Sequence, residues 1–325
     1  MEEMSGTLQG IFGERLLIDE PLSKHSTYRV GGPAKWFVEA RSEEDVVAAV
    51  RLAREHAVRL AVFGGGTNIL FADEGFPGLI VKMAMRKVVI NGSEIIAEAG
   101  ALSALTARQS AEAGLTGFEW AASLPGTIGG AVRGNAGAFG GEMKDSVSRV
   151  DILREGSVVS LSNEEMKFGY RDSTIKHSND IVLRVVLTLV TGDSEDAKAL
   201  VLSLVEKRNA SQPHVGGSAG CAFKNYEATD EELVSIGAIA EIPASMMAEH
   251  RLAAGWLIDQ AGLKGLFVRD AYVSEQHGNF IVNRGKATAQ DIKDLIQKVK
   301  EGVSQRFGIV LQEEIQYIGF ENSNS

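Results

Sequence analysis

The pattern of apolar positions first becomes regular after Ser42, which is followed by three acidic residues. The apolar residues beyond them recur at three- and four-residue intervals: Val46, Ala49, Val50, Ala53 and Ala57. A serine N-cap and acidic residues both stabilise the first turn of a helix, so this stretch predicts a helix with one buried face. The short apolar run at residues 60–63 then predicts a strand that leads directly into Gly64.

Between residues 85 and 207 the pattern changes to short apolar runs broken by glycine, asparagine and serine. The runs of strand length are residues 87–90, 94–99, 147–153, 158–161 and 181–190. Helical spacing is found at residues 102–113 and 194–207. This mixture predicts a strand-rich α+β domain.

A segment rich in serine, glycine and proline at residues 209–220 predicts a domain boundary. Beyond it, residues 253–261 are predicted to form a helix that Gly262 closes, and residues 280–282 to form a strand.

A last helix is predicted from the capping-box pattern of Thr288 and Asp291. Its predicted inward face consists of Ile292, Leu295, Ile296 and Val299. The final apolar run, residues 309–318, surrounds the charged residue Glu314.

Composition narrows the range of functions. With 325 residues, 44% of them hydrophobic and 23% charged, the chain has a globular composition and the length for about two or three domains. Its formal net charge is -10 and it has no dense Lys/Arg cluster, which argues against a general nucleic-acid binder. An anionic ligand would need positive groups that converge locally.

Cysteine content and hydropathy bear on location. Cys221 is the one cysteine of the sequence, so no intramolecular disulfide can form, and a cytoplasmic location is expected. The first residues are acidic where a signal peptide is basic, and no apolar run reaches the roughly 18 residues that span a bilayer. Neither export nor membrane insertion is expected.

Two glycine-dense segments are candidates for binding phosphate. They are residues 64–68 and residues 125–131, the second being followed by Gly134 and Gly137. Glycines let the backbone take positive φ and bring its amides close to a diphosphate. One such segment is equally consistent with a tight turn, but two favour a dinucleotide or a nucleotide diphosphate. Neither has Rossmann or P-loop spacing, which disfavours a doubly wound nucleotide fold.

Three further residues have the chemistry of a reaction site. Arg171 lies in Gly-Tyr-Arg-Asp-Ser, where its planar guanidinium can bind a carboxylate or stabilise an enolate; a surface arginine is the alternative. Cys221 is either inert packing or a reactive thiol. Glu314 stands in an apolar run, although most glutamates are solvated. The scattered histidines and the absence of a Gly-x-Ser-x-Gly elbow indicate neither a zinc site nor a serine hydrolase.

Taken together, several segments resemble the UDP-N-acetylenolpyruvoylglucosamine reductases in order and spacing. They are residues 24–34, 64–70, 124–137, 169–173, 217–225 and 311–319. The resemblance implies an α+β protein with a p-cresol-methylhydroxylase-type FAD-binding fold, made of two α+β subdomains, and a C-terminal α+β substrate-binding domain. The spacing between Arg171 and Cys221 resembles the shorter family variant, which lacks an additional substrate-covering loop.

The domain bounds implied by this resemblance divide the chain into three parts. Residues 1–85 are the N-terminal FAD-binding subdomain, with residues 307–325 packing back on it. Residues 86–208 are the second FAD-binding subdomain, and residues 209–306 are the substrate-binding domain.

The resemblance also implies a reaction. NADPH reduces FAD, and hydride then passes to the enolpyruvyl group of UDP-N-acetylglucosamine enolpyruvate, giving UDP-N-acetylmuramate for peptidoglycan. Arg171 and Glu314 are implied to stabilise the charge that develops beside the carboxylate, and Cys221 to be the proton donor. The family usually has serine at the position of Cys221, but a thiol is the stronger acid and can deliver the same proton.

Binding residues are implied at the positions that match the family. For FAD they are Arg29, Gly64, Gly65, Gly66, Thr67, Asn68, Ile69, Leu70, Ser123, Pro125, Gly126, Thr127, Gly129, Gly130, Ala131, Asn135, Gly137 and Ile181. For the substrate they are Arg171, Arg208, Lys224, Asn225 and His277. Two positions depart from the family pattern: Phe139 stands where tyrosine is common, and Tyr226 where proline is usual. No metal site is implied.

Two other functions stay open from the sequence. Another flavin oxidoreductase of the same superfamily would oxidise an alcohol or sugar with oxygen, but would not share the Arg171 segment together with Glu314. A nucleotide-binding module without catalysis would not need Arg171, Glu314 and Cys221. Beyond FAD, NADPH and a UDP-sugar, no nucleic acid, membrane or obligate protein partner is expected.

Overall fold

The computed structural model describes residues 2–213 and 215–320, and the chain forms two compact units. Unit 1 comprises residues 1–20, 33–66 and 76–210, and unit 2 comprises residues 21–32, 67–75 and 211–325. Each unit is therefore assembled from segments that are far apart in the sequence. Residues 321–325, the end of the segment predicted to pack back on the first subdomain, lie outside the described residues. The division into three parts stays a prediction.

The helices and strands are numbered here in chain order. The α-helices are α1 (Glu2–Phe12), α2 (Glu43–Glu55), α3 (Ser103–Glu112), α4 (Ile128–Arg133), α5 (Ser194–Ser211), α6 (Asp230–Gly237), α7 (Ala244–Ala248), α8 (Ala254–Gln260) and α9 (Ala289–Phe307). The strands are β1 (Leu16–Pro21), β2 (Pro33–Ala40), β3 (Leu60–Phe63), β4 (Ile69–Phe71), β5 (Phe76–Met83), β6 (Val88–Asn91), β7 (Glu94–Glu98), β8 (Leu115–Thr116), β9 (Gly137–Ala138), β10 (Gly141–Glu142), β11 (Val147–Arg154), β12 (Ser157–Ser162), β13 (Ile181–Thr188), β14 (Val190–Thr191), β15 (Tyr226–Glu227), β16 (Arg251–Leu252), β17 (Phe267–Val268), β18 (Ala271–Val273), β19 (Ile281–Asn283) and β20 (Gln316–Ile318). Short 3₁₀ helices lie at Gly13–Arg15, Leu22–Lys24, Glu119–Ser123, Met143–Asp145 and Thr174–His177.

Unit 1 contains two larger sheets. The first has the order β1-β2-β5-β3, with β2 and β3 both parallel to β5. The second has the order β12-β11-β13-β7-β6, and its neighbouring strands are antiparallel. Apolar residues of both sheets belong to one hydrophobic core. The strand-rich α+β character predicted for this part of the chain is confirmed.

Helix α2 begins where the apolar pattern predicted. The side chain of Ser42 accepts a hydrogen bond from the backbone N of Asp45 at 3.3 Å, and Val46, Ala49 and Ala53 are buried. The prediction was wrong for Ala57, which is exposed beyond the end of α2 with a φ of +50°. The chain there turns through a left-handed conformation before it enters β3, and apolar spacing alone does not reveal that turn.

Unit 2 contains a three-stranded sheet, β17-β18-β19, and a parallel pair, β4 and β20. The predicted capping box is present, because the Thr288 side chain accepts a hydrogen bond from Asp291 N at 3.1 Å. The predicted inward face of α9 is buried: Ile292, Leu295, Ile296 and Val299. The predicted helix before Gly262 is confirmed as α8, and the predicted strand as β19. Among the described residues, no helix is both long and apolar enough to cross a bilayer.

Candidate active site

Residues 64–66 of the first glycine segment lie against the second glycine segment in unit 1. Strand β3 leads into Gly64, and residues 125–127 lead into α4. A Cβ atom added to Gly64 would lie 2.1 Å from Thr127 Oγ1, so a larger residue would force the loops apart. Gly66 and Gly126 have φ values of +64° and +102°, which glycine adopts without strain. Two loops that were predicted separately are therefore neighbours.

Several buried polar atoms in and beside these loops have no hydrogen-bond partner among the described residues. They are Thr127 Oγ1, Ser123 Oγ and Trp120 Nε1. Buried polar groups are almost always satisfied by protein, water or a ligand. Two such hydroxyls next to glycine loops are suited to a nucleotide cofactor, so the residues present fit FAD.

The other predicted FAD-binding residues fall in both units. In unit 1, an added Cβ on Gly129 would lie 2.8 Å from Ala99 Cβ, so this glycine is explained by close packing. Ile181 is half-buried at the start of β13. Gly65, Pro125 and Gly130 are exposed, and Ala131 is buried.

In unit 2, Arg29 is exposed and has a φ of +60°. Residues 67–70 also belong to unit 2, where Asn68 Nδ2 donates to Glu314 O at 3.1 Å. Residues 67–70, the end of the predicted FAD segment, thus lie beside Glu314, a predicted catalytic residue of the same unit.

Asn135 is fully buried, and its carboxamide bonds to protein groups. Its Nδ2 donates to Gly169 O at 2.8 Å and to Glu142 Oε2 at 3.1 Å, and its Oδ1 accepts from Lys144 N at 3.0 Å. Both donor hydrogens are therefore used within unit 1. This side chain connects the second glycine segment to the segment that contains Arg171.

Arg171 lies at the tip of a tight turn in unit 1. Gly169 and Asp172 exchange backbone hydrogen bonds of 3.1 and 3.2 Å, so Tyr170 and Arg171 are the central residues. Arg171 has a φ of +54°, which is strained for a residue with a Cβ atom. Its Nη2 donates to Gly137 O at 3.1 Å. The guanidinium carbon lies 5.1 Å from the centre of the Tyr170 ring.

Basic groups converge around this turn. Lys176 Nζ donates to Arg171 O at 2.7 Å, and Arg133 Nη2 donates to Lys176 O at 3.3 Å. Burial lowers the pKa of Arg133, against the opposing effect of the Asp172 charge. Burial alone would raise the pKa of Asp172, but its hydrogen bond to His177 at 2.7 Å and nearby positive charge lower it. Such a cluster gives an acidic chain a local site for an anion.

Cys221 lies in unit 2 on a segment that pairs with the chain on both sides. Cys221 itself pairs with Phe280 in antiparallel fashion. The next residue, Ala222, donates from N to Asn279 O at 2.8 Å and accepts at its O from Glu314 N at 2.8 Å. The structure therefore places Cys221 and Glu314 on neighbouring segments of one unit.

Tyr28 belongs to the hydrophobic core of unit 2 and is completely buried. Its hydroxyl has no hydrogen-bond partner among the described residues. Burial raises the pKa of Tyr28, and negative charge on Cys221 raises it further, so the two side chains are within electrostatic range. The sequence placed Tyr28 in a family segment but assigned it no role.

The predicted substrate-binding residues also fall in both units, and all are half-buried. Arg171 and Arg208 belong to unit 1; Lys224, Asn225 and His277 belong to unit 2. Asn225 Oδ1 accepts from Ala254 N at 3.2 Å, and this bond fixes its carboxamide. Phe139, at the tip of the β9–β10 hairpin, is 47% exposed.

Two residues that shape these surroundings were not predicted. Arg133 was assigned no role from the sequence, because only the folded chain brings it beside Lys176. Asn279 is buried and bonds the backbone N and O of Phe223 at 2.9 and 2.8 Å. Asn279 and Phe223 are too far apart in the sequence for any local spacing to link them, so the sequence held no signal for this contact.

Family models match two parts of the chain. Residues 34–162 match the FAD binding domain, and residues 212–318 match the C-terminal domain of UDP-N-acetylenolpyruvoylglucosamine reductase. The reductase of that name from Clostridioides difficile (strain 630) is 38% identical to the chain over 94% of each. The one from Rubrobacter xylanophilus is 38% identical, over 97% of this chain and 98% of the relative. The chain belongs to the UDP-N-acetylenolpyruvoylglucosamine reductase family.

A solved structure supports the same conclusion about the fold. The UDP-N-acetylenolpyruvylglucosamine reductase from Thermus caldophilus matches with a TM-score of 0.74 and 33% identity, covering 93% of this chain and 98% of that one. The predicted resemblance and the α+β, p-cresol-methylhydroxylase-type FAD-binding fold are confirmed. Both glycine loops lie inside the region that matches the FAD binding domain. The roles of individual residues in this reductase stay predictions.

Proposed function

We propose that the protein reduces the enolpyruvyl group of UDP-N-acetylglucosamine enolpyruvate to a lactyl ether, forming UDP-N-acetylmuramate for peptidoglycan synthesis. The main support within the structure is the cationic turn around Arg171, in a chain that belongs to the reductase family. When bound, FAD supplies the hydride that it receives from NADPH. The chain must bind the anionic substrate, stabilise developing charge and provide a proton.

The residues that would hold FAD include both glycine loops of unit 1. These are residues 64–66, Ser123, residues 125–127 and residues 129–131, with Gly137 and Ile181; in unit 2 they are Arg29 and residues 67–70. The orphaned hydroxyls of Ser123 and Thr127 support this assignment, because a bound diphosphate or flavin would supply their missing partners.

Arg171 would stabilise negative charge on the substrate, and Glu314, with its carboxyl group protonated, would donate a hydrogen bond to it. Hydride addition to the methylene carbon leaves negative charge on the adjacent carbon, shared with its carboxylate. A guanidinium is planar and charged, and matches a carboxylate or enolate in two-point hydrogen bonding. A hydrogen-bonding group aimed at such developing charge commonly contributes about 10²- to 10³-fold in rate.

Cys221 would complete the reduction by protonating the adjacent carbon. The new C–H bond forms as the S–H bond breaks, and the resulting thiolate is reprotonated before the next turnover. A thiol has a lower ordinary pKa than a serine hydroxyl, so it releases this proton more readily. Glu314 is on the neighbouring segment, through the bond from its N to Ala222 O.

The UDP-sugar would be held by polar and basic side chains. We assign this role to Arg171, Arg208, Lys224, Asn225 and His277, which offer the positive or amide groups that a sugar nucleotide requires. The same proposal includes a cytoplasmic location and no nucleic-acid, membrane or obligate protein partner, as the single cysteine and acidic charge suggest.

The test uses the visible absorption of the purified protein under anaerobic conditions. We expect a flavin band that bleaches with NADPH and returns when UDP-N-acetylglucosamine enolpyruvate is added. If FAD is bound and bleaches but only oxygen restores the colour, the substrate assignment is wrong and an oxidase is indicated.

The proton donor is tested with Cys221→Ala and Cys221→Ser. We expect both variants to be reduced by NADPH at the wild-type rate. Return of the flavin colour with substrate should slow by about 10²- to 10⁴-fold in Cys221→Ala, and by less in Cys221→Ser. A wild-type rate in Cys221→Ala would show that another group delivers the proton.

A further inference from the structure

The Arg171 turn is held in a conformation that arginine does not choose by itself. Positive φ at the third position of a turn normally falls to glycine or asparagine. At φ +54°, Arg171 lies in the left-handed region, which is strained for a residue with a Cβ atom. Such strain persists only where the surrounding structure enforces it, so the groups that enforce it are of functional interest.

Lys176 is one such group. Its ammonium donates to the carbonyl O of Arg171 at 2.7 Å, the peptide group that follows the strained φ. The position of Lys176 is itself fixed, because its own carbonyl accepts from Arg133 Nη2 at 3.3 Å. Ser173, which is buried, donates from Oγ to Arg133 O at 2.7 Å and ties the turn to the same arginine. A lysine side chain loses conformational entropy when it is held in one geometry, and the hydrogen bond to Arg171 O offsets that loss.

Asn135 is the second group. It bonds Gly169 O, the base of the turn, at 2.8 Å, and its other donor hydrogen bonds Glu142 Oε2 at 3.1 Å. Two residues further on, Gly137 O accepts from Arg171 Nη2 at 3.1 Å. Asn135 thus joins the base of the turn to the segment that its guanidinium contacts. Asn135 also has positive φ, +40°, and is fully buried.

We propose that Asn135 and Lys176 are positioning residues that hold Arg171 in the turn from which its guanidinium meets the substrate. The proposal rests on the role proposed above for Arg171. Neither residue needs to touch the substrate. Asn135 was predicted to bind FAD, and the proposal gives its carboxamide a different task.

Lys176 is tested with Lys176→Met, which keeps the aliphatic stem but removes the donor, and Lys176→Arg, which restores a donor. The matched control is Lys82→Met, because Lys82 is also partly buried in unit 1 and bonds Glu39 at 3.2 Å. Stopped-flow absorption measures two steps separately: reduction of the flavin by NADPH and its reoxidation by the enolpyruvyl substrate.

We expect reoxidation in Lys176→Met to slow by about 10- to 100-fold, the size of effect that a small misplacement of a reacting group produces. Reduction by NADPH should change by less than about threefold, because the defect lies in the geometry of the step with the enolpyruvyl substrate. Lys176→Arg should recover most of the rate, and Lys82→Met should match wild type. Wild-type reoxidation in Lys176→Met overturns the role of Lys176.

Asn135 is tested with Asn135→Gly, which accepts the positive φ and removes the whole side chain, including the carboxamide. We expect slower reoxidation per bound flavin, with the FAD content of the purified protein unchanged. Loss of FAD with normal reoxidation by the remaining holoenzyme would assign Asn135 to cofactor binding and overturn its positioning role. If Asn135→Gly does not fold, Lys176→Met decides the proposal.

Combining Lys176→Met with Arg171→Ala separates this proposal from the proposed function. We expect Arg171→Ala to slow reoxidation, and the added Lys176→Met to slow it no further, since positioning has no effect once the guanidinium is gone. A slow Arg171→Ala with a normal Lys176→Met overturns the positioning proposal alone. A normal Arg171→Ala overturns the role of Arg171 and the positioning proposal together.

Discussion

The Arg171 turn of unit 1 and the Cys221 segment of unit 2 are held in place by different means. Side chains enforce the strained turn, through Lys176 and Asn135. Backbone pairing on both sides holds the Cys221 segment, with the Asn279 side chain as an added support. This segment lies within electrostatic range of the buried Tyr28 hydroxyl, which has no hydrogen-bond partner among the described residues. A group that stabilises charge must be fixed in advance.

The largest effect is expected when the Arg171 side chain is removed. Both Arg171→Gly and Arg171→Ala should slow flavin reoxidation by about 10²- to 10³-fold. If the turn is strained as its φ indicates, Arg171→Gly should be more stable than Arg171→Ala by on the order of 1 kcal/mol, because glycine accepts positive φ. Urea unfolding of the two variants measures this difference. Equal stability of the two variants would show that the positive φ of Arg171 does not strain the turn.

Loss of the Asn279 carboxamide should mainly affect stability, because Asn279 supports the Cys221 segment through the backbone of Phe223. Asn279→Ala leaves a buried N–H and a buried C=O without this partner, at a cost of about 2–4 kcal/mol. Thermal and urea unfolding measure it. The control is Gln297→Ala on the exposed side of α9, where the change should stay within about 0.5 kcal/mol. A stable Asn279→Ala would show that backbone pairing holds the segment without this side chain.

The sequence could predict features that depend on nearby residues, but not contacts between distant segments. Helices α2 and α9 follow from local signals, because caps and apolar spacing lie within a few residues of each other. The glycine loops could be recognised one at a time, but not that Gly64 faces Thr127. That contact joins segments about 60 residues apart and depends on the folded sheet.

The candidate active site could likewise be predicted only in part from the sequence. Arg171, Cys221 and Glu314 could be selected by resemblance, since the family segments keep their order along the chain. Nothing in the sequence indicated that Arg171 has positive φ or that Asn135 bonds the base of its turn. Both facts depend on hydrogen bonds between distant segments, for which apolar periodicity carries no information.

A smaller effect is expected at two tyrosines of unit 2, the half-buried Tyr317 and the buried Tyr28. The Tyr317 hydroxyl donates to Glu313, so Tyr317→Phe should lower the free energy of unfolding by about 1–3 kcal/mol. Tyr28→Phe removes a hydroxyl that has no partner in the described part of the chain, so the free energy of unfolding should change by less than about 0.5 kcal/mol, or increase. Urea unfolding of the free protein compares them. A large loss of unfolding free energy in Tyr28→Phe would reveal a hydrogen-bond partner for this hydroxyl. The contrast between the Arg171 turn and the Cys221 segment would then be weaker.

The smallest effect is expected at alkaline pH. Burial, with the charge of Cys221 second, raises the pKa of Tyr28 above its ordinary value of about 10. The unfolded chain therefore loses this proton before the folded protein does, and stability falls as pH rises above about 10. Tyr28→Phe has no such proton, so its stability should fall less steeply than that of wild type, by up to about 1.4 kcal/mol per pH unit. Urea unfolding at pH 8, 9, 10 and 11 measures both slopes. Identical slopes would mean that the Tyr28 hydroxyl ionises equally in both states, so that it reaches water or a charged partner in the folded protein.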